Sequence, residues 1–349
     1  MRSRKRWPHI ASAIVLCILV GLFAGCQQND STSTKKVSLD ERKIQGANPG
    51  EQLYLRHKVA GKTLPKNKKR VLLFLEPFSV PSAKAFDVPG YSWMDHMAKQ
   101  GYDTWAMDFK GFGRSSRPVE MSQPPLKNKP VIDHKDSLRD LEKVINYLKK
   151  ERKVDSVDLV GWSWGGVVAG EYAAKHPQNV NKLVLYGFMH GFKLPMMTKP
   201  FQSKQDPTQF NEKAPAYQQV KMVQGMQHWF MMQGGKRIVT HQAFKQVSKV
   251  FADSDPSAEK QNGAIRRPMG PLKDLFAIWS DRPLYDMSKI TAPTLVIYGE
   301  LDSFADRRVY KELTSSKDKK EVSIKNATHW ALYEKNRRKL LQETDQFLQ

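Results

Sequence analysis

The chain has 349 residues and carries 57 Lys and Arg against 35 Asp and Glu, a formal net charge of +22. That length holds one large domain or a domain with an insert, and two cysteines exclude a disulfide-built scaffold. The basic residues are scattered rather than striped and no nucleic-acid motif accompanies them, which argues against nucleic acid as a partner. No H-E-x-x-H pattern or Cys/His cluster points to a metal site, and no cofactor is implied.

Arg2, Arg4, Lys5 and Arg6 precede an apolar run from Ile10 to Ala24, too short and too soon interrupted for a permanent membrane span. It ends in Leu22-Phe23-Ala24-Gly25-Cys26, which resembles a bacterial lipobox, with Phe23 where Leu is more usual. Residues 1–25 are therefore read as a signal peptide and Cys26 as a lipid-carrying N-terminus. The alternative is an uncleaved anchor helix. Residues 26–50 are read as a flexible tether, rich in Ser, Thr, Asn and Gln up to Lys36. Either reading expects the domain in the bacterial cell envelope, outside the cytoplasm. Loss of the leader would remove four positive charges and leave +18. The basic surface of an anchored protein suits attraction to anionic headgroups or wall polymers, while each basic cluster alone, at Lys58–Arg70, Lys317–Lys320 and Arg337–Lys339, reads as a solvated face rather than a binding site.

In chain order, Leu53–Val59 followed by Ala60-Gly61-Lys62 reads as a hairpin. Val71–Leu75 is a continuous apolar run, as in a strand buried on both faces. A short helix, Trp93–Lys99, leads through Gly101 to a strand at Asp103–Met107. Leu138, Leu141, Val144, Ile145 and Leu148 lie at helical spacing within Asp136–Glu151. A strand at Val157–Val160, a glycine-rich turn, a helix at Val167–Ala174 and a strand at Lys182–Tyr186 follow. Alternation then stops until Thr294–Tyr298, a helix near Asp306–Leu313, a strand at Glu321–Ile324 and a last helix after Trp330. The pattern predicts an α/β fold with a mostly parallel sheet flanked by helices, formed by 51–187 and 287–349. Residues 188–286, rich in Met189, Met196, Met197, Met222, Met226, Trp229, Phe230, Met231 and Met232, read as a helical cap over an apolar pocket.

The turn Gly161-Trp162-Ser163-Trp164-Gly165-Gly166 is G-x-S-x-G between a strand and a helix, the context that makes Ser163 a candidate nucleophile. A serine nucleophile needs an imidazole to take its proton and a carboxylate to orient the imidazole. Both belong on loops at the carboxyl ends of strands. Gly299-Glu300-Leu301-Asp302 follows one strand and Asn326-Ala327-Thr328-His329-Trp330 follows another. Asp302 and His329 are the candidates, with Glu300 read as structural. His190 suits a cap hinge or pocket wall. His96, His134, His176, His228 and His241 read as surface or packing residues.

These motifs, with Val71–Phe78 and Asp108-Phe109-Lys110-Gly111-Phe112-Gly113-Arg114-Ser115, resemble those of the α/β-hydrolase superfamily over nearly everything after Leu53 except the cap. The resemblance implies Ser163 as nucleophile, His329 as general base and then acid, and Asp302 as its partner. It implies backbone N–H groups of Phe78 and Trp164 as an oxyanion hole. Serine in the turn argues against the dehalogenase and epoxide-hydrolase branches, which use aspartate there. Where the superfamily often has His-Gly-x, this chain has Glu76-Pro77-Phe78. A Glu76 carboxylate facing the site would oppose an oxyanion; pairing with Arg114 or binding a cationic substrate group are the alternatives. Asp108 reads as a loop-bracing acceptor. The expectation is a lipid-anchored serine hydrolase acting on a small-molecule ester with an apolar acyl group. Amides, thioesters and activated C–C bonds come behind, and a non-catalytic binding lipoprotein is the rival.

Overall fold

The computed structural model describes residues 36–61 and 70–349. The signal peptide, Cys26 and the start of the tether lie outside the described residues. An eight-stranded sheet runs in the order β1-β2-β4-β3-β5-β6-β9-β10. The strands are β1 (Val37–Gln45), β2 (Gln52–Ala60), β3 (Val71–Leu75), β4 (Asp103–Asp108), β5 (Val157–Trp162) and β6 (Val180–Tyr186), then β9 (Thr294–Gly299) and β10 (Lys319–Ile324). Between β6 and β9, β7 (Tyr217–Lys221) and β8 (Ala264–Pro268) form a separate antiparallel pair. β1 and β2 join antiparallel; every pairing from β4 to β10 is parallel.

Side chains of one strand alternate between the faces of the sheet, and β3 shows where they go. Val71, Leu73 and Leu75 enter one core with Leu141, Ile145 and Leu148 of the helix His134–Arg152 and Val168 of the helix Trp164–Lys175. Leu72 and Phe74 enter the other, with Trp93, Met94 and Met97 of the helix Trp93–Lys99 and Leu340 and Leu348 of the helix Arg337–Leu348. Helices on both faces leave the inner strands dry, so β3, β4, β5 and β9 are buried at every residue. The helix His134–Arg152 starts at a capping box, in which Asp133 accepts from the backbone of Asp136 and Asp136 from that of Asp133.

Several expectations give way. β1 occupies most of the second half of the expected tether, and the hairpin turn lies before β2 rather than after it, with Gly46 N–H bonded to Glu51 O at 2.8 Å. The segment 188–286 is mixed rather than helical. It holds β7 and β8 beside the helices Met222–Gly225, Gln227–Met232 and His241–Ala252. Its last helix, Gly270–Ile278, belongs to the core, where Leu272, Leu275 and Phe276 join the cluster of β3 and β5. Near the end, the helix expected at Asp306–Leu313 shortens to Val309–Glu312, and a tight turn at Ala331–Tyr333 precedes the final helix.

Candidate active site

At the end of β5, Ser163 has φ 57° and ψ −121°, a conformation a side-chain-bearing residue adopts only when its surroundings impose it. Tight packing imposes it here. A Cβ at position 161 would sit 2.5 Å from Gly166 Cα, and one at 165 would sit 2.4 Å from the carbonyl oxygens of both Leu75 and Glu76. Glycine is the residue that lets strand, turn and helix approach so closely. Ser163 N–H donates to Tyr186 O at 2.8 Å, tying the turn to β6.

Asp302 and His329 come from the loops after β9 and β10. His329 Nδ1 lies 2.8 Å from Asp302 Oδ2, while Asp302 Oδ1 accepts from Phe304 N–H at 2.9 Å. The carboxylate thus has one oxygen fixed by backbone and the other on the imidazole. Tyr186 O–H donates to the His329 carbonyl at 2.9 Å and accepts from Leu332 N–H at 3.1 Å, fixing the loop that carries the ring. Gly187, at φ 54°, leaves the space between them: a Cβ there would lie 2.9 Å from His329 Nδ1. Ser163, Asp302 and His329 are all nearly buried, at 5%, 2% and 4% exposure. Ser163 and His329 open on one cavity of about 230 Å³ whose walls include Phe78, Trp162, Leu272, Leu275, Trp279 and Phe304.

Of the methionines expected at a pocket, Met189, Met197 and Met222 line this cavity. Met226 and Trp229 are buried in the core, and Met196, Phe230 and Met231 are exposed. Phe78 is at the cavity wall, and the contact of Gly165 with the carbonyls of Leu75 and Glu76 sets the start of the Trp164 helix beside the Phe78 loop. The Trp164 indole points into the core and donates to Asp274 at 3.0 Å.

Glu76 neither faces the cavity nor pairs with Arg114. Its carboxyl is wholly buried, accepting from Ser82 N–H at 2.8 Å, Ser82 Oγ–H at 3.1 Å and Phe109 N–H at 3.2 Å. Burial, reinforced by Asp108, holds its pKa well above the usual range. Asp108 braces the neighbouring loop by accepting from Ala83 and Arg114 N–H, and burial pushes it up to about 6. The Arg114 guanidinium bonds Glu41 at 2.7 Å instead. Glu300 accepts from Asn326 N–H at 2.9 Å, a bond between the loops after β9 and β10.

One histidine loses one of its two readings, and another departs from its reading. His190 is not a pocket wall: it is 6% exposed, packed on Tyr285 with ring centroids 5.0 Å apart. His228 is the reverse, lining the cavity, its Nε2 accepting from Trp330 Nε1–H at 3.3 Å. No spacing marks His228, because the insert places it by tertiary packing alone. The other four are packing or surface groups, as read. His134 is bonded to Asp274, His96 to Asp345, His176 lies on Tyr172 and His241 is exposed.

Burial lowers His190 from 6.5 to about 4. The folded protein then keeps it neutral while the unfolded chain takes a proton below about pH 6.5. Stability from this group is therefore full above that value and is lost as pH falls toward the folded value. In denaturant melts, His190→Gln is expected to reduce the loss of stability between about pH 7 and pH 5 by about 1–2 kcal/mol. Identical pH slopes in both proteins would contradict a neutral buried imidazole.

Among the described residues no group of His, Cys, Asp and Glu is arranged to hold a metal ion, and no helix is long and apolar enough to cross a membrane. The sequence signature of the alpha/beta hydrolase fold matches residues 86–336, and the chain belongs to that family. It is similar to Epoxide hydrolase 3 of Xenopus tropicalis, 25% identical over 250 residues covering 69% of this chain and 63% of that protein. Two further relatives are matched over 45% and 57% of their length, so the chain spans about half to three fifths of these curated relatives. Among solved structures it resembles the thioesterase domain from the curacin biosynthetic pathway (TM-score 0.57, 14% identity, 89% of this chain and 99% of that one). It also resembles an esterase from Exiguobacterium antarcticum (TM-score 0.54, 17% identity, 88% and 98%). At these identities the structural likenesses speak for the fold.

Proposed function

We propose that the protein is a serine hydrolase that cleaves an acyl bond, with a carboxylic ester as the simplest substrate. The observation that carries this is Ser163, held at φ 57° on the same cavity as a His329 whose Nδ1 is committed to Asp302. His329 takes the Ser163 proton through Nε2 as the oxygen adds to the carbonyl, and Asp302 stabilises the imidazolium. The N–H groups of Phe78 and Trp164 receive the oxyanion. Collapse expels the alcohol, protonated by His329, and water activated by the same ring releases the acid.

A serine also decides against the reaction named for Epoxide hydrolase 3. Opening an epoxide with a serine oxygen would leave an ether, which water does not cleave. A carboxylate there would leave an ester, which it does. Amides, thioesters and activated C–C bonds share the tetrahedral intermediate and remain within the reading. The rival of a degraded site that only binds loses its main support, since Glu76 is turned away from the cavity. A fluorophosphonate probe tests the proposal: it is expected to label the wild type and not Ser163→Ala, and equal labelling would sink it.

The anchor belongs to the same proposal. Lipid on Cys26 would hold the domain at the outer face of a bacterial membrane, with the net positive charge favouring anionic headgroups. Cys26→Ala is expected to keep its leader and leave the lipid-modified fraction; unchanged size and membrane partition would overturn the anchor.

A further inference from the structure

The cavity has one cationic wall. Arg267, at the end of β8, lines it together with Ser163 and His329, and its guanidinium lies over the Phe78 ring, 4.5 Å from the centroid. Its protein partners are neutral. Nη1 donates to Ser79 Oγ at 2.6 Å, and Nη2 and Nε donate to Gln218 Oε1 at 2.9 and 3.3 Å. Among the described residues no carboxylate forms an ion pair with it, whereas the neighbouring Arg266 and Arg117 both pair with Asp255. A guanidinium has five N–H groups, so one hydrogen on each of Nη1 and Nη2 remains for a ligand. Desolvation lowers Arg267 to about 10, the mark of a charge taken out of water without a compensating anion.

Ser79, its partner, belongs to the Phe78 loop and has φ 93°, a second strained residue at this site beside Ser163. The cation is therefore fastened to the segment that would hold the oxyanion. The rest of the cavity lining is largely apolar, Met197, Phe201, Leu272, Leu275 and Trp279 among it, with one charge. A protein that needed only a neutral acyl pocket would gain from another apolar residue here. A cation with a free donor on each terminal nitrogen suits a carboxylate.

We propose that Arg267 forms a carboxylate-binding subsite, so that the preferred substrates are small half-esters: an apolar body bearing a free carboxylate as well as the bond to be cleaved. The substrate class rests on the serine-hydrolase reading; the subsite is tested apart from it. In the catalytically silent Ser163→Ala protein, binding of monomethyl adipate and of dimethyl adipate is compared by calorimetry near neutral pH. The two share a body and differ in one charge. The monoester is expected to bind about tenfold more tightly or better. Arg267→Gln in the same background is expected to erase that preference, and Arg267→Lys to keep part of it, since the charge stays and the fork is lost. Equal affinities, no measurable binding of the monoester, or a preference that survives Arg267→Gln would each overturn the subsite. The first comparison needs no substitution at 267, so a misfolded variant does not decide the matter. Turnover of the monoester by the wild type is scored separately: binding without cleavage would count against the hydrolase reading and leave the subsite standing.

Discussion

Ser163→Ala is expected to lower kcat for an activated ester by roughly five to six orders of magnitude while leaving the fold intact. The substitution removes one oxygen, the atom that would form the covalent bond, and leaves the cavity and backbone donors in place. Some acceleration over water should therefore survive. Asp302→Asn should cost less, about 10⁴-fold, because Nδ1 of His329 loses its carboxylate and the ring its preferred tautomer. Combining the two should add little to Ser163→Ala alone, since the groups act as one unit. The stability readout is independent. Alanine carries the same Cβ as serine, so the strain at φ 57° persists and the melting temperature should stay near wild type. Ser163→Gly relieves that strain and should melt higher, by a gain of about 1 kcal/mol or more. Ester turnover by Ser163→Ala within about tenfold of wild type would end the mechanism. A lower melting point for Ser163→Gly would show that the turn is not strained.

The parts of the site legible in the sequence are those that local chain geometry dictates. Ser163 could be read because a strand, two close glycines and a helix leave a side chain there one place to point. Asp302 and His329 could be read because each lies on the loop that follows a strand, and parallel strands deliver their following loops to one edge. The sheet was legible for the same reason: β3 and β9 are apolar runs with no other stable home than a doubly covered layer. What was missed depends on partners distant in sequence. β1 reads as polar tether because it is an edge strand whose charges, such as Glu41 with Arg56 and Arg42 with Glu151, find partners only after folding. Glu76 sits next to the cavity loop, yet its direction is set by Ser82 and Phe109, and sequence adjacency said nothing of that. His228 and Arg267 come from the insert, where no repeating pattern ties a residue to one face. Arg267 also looks like one cation among 57 Lys and Arg until its neutral surroundings are seen.

Gly165→Ala is expected to disrupt both the fold and the site. The added methyl would meet the carbonyl oxygens of Leu75 and Glu76 at 2.4 Å and the Leu75 carbonyl carbon at 2.7 Å. These are backbone atoms at the end of a fully buried strand, so no side chain can turn aside. Relief requires the helix Trp164–Lys175 to lift away from β3, opening a core that holds Val167, Val168 and Tyr172. Overpacking that moves backbone costs about 3 kcal/mol or more, a fall in melting temperature of roughly 5 °C or more. Gly166→Ala provides the control. Its nearest atom is the edge of the Phe188 ring at 2.9 Å, a side chain that can shift, and its loss of stability should be smaller. Activity should separate the two further. The carbonyls struck by the methyl of Gly165→Ala immediately precede the Pro77-Phe78 segment, so the displacement opens the gap between the two proposed oxyanion donors. Misplacement by about 1 Å can cost about 10²-fold in rate. Fluorophosphonate labelling of Gly165→Ala should slow by about that factor at temperatures where the protein is still folded. Wild-type melting together with wild-type labelling would mean that the elbow and the Glu76–Phe78 loop are not in the close contact on which the oxyanion assignment depends.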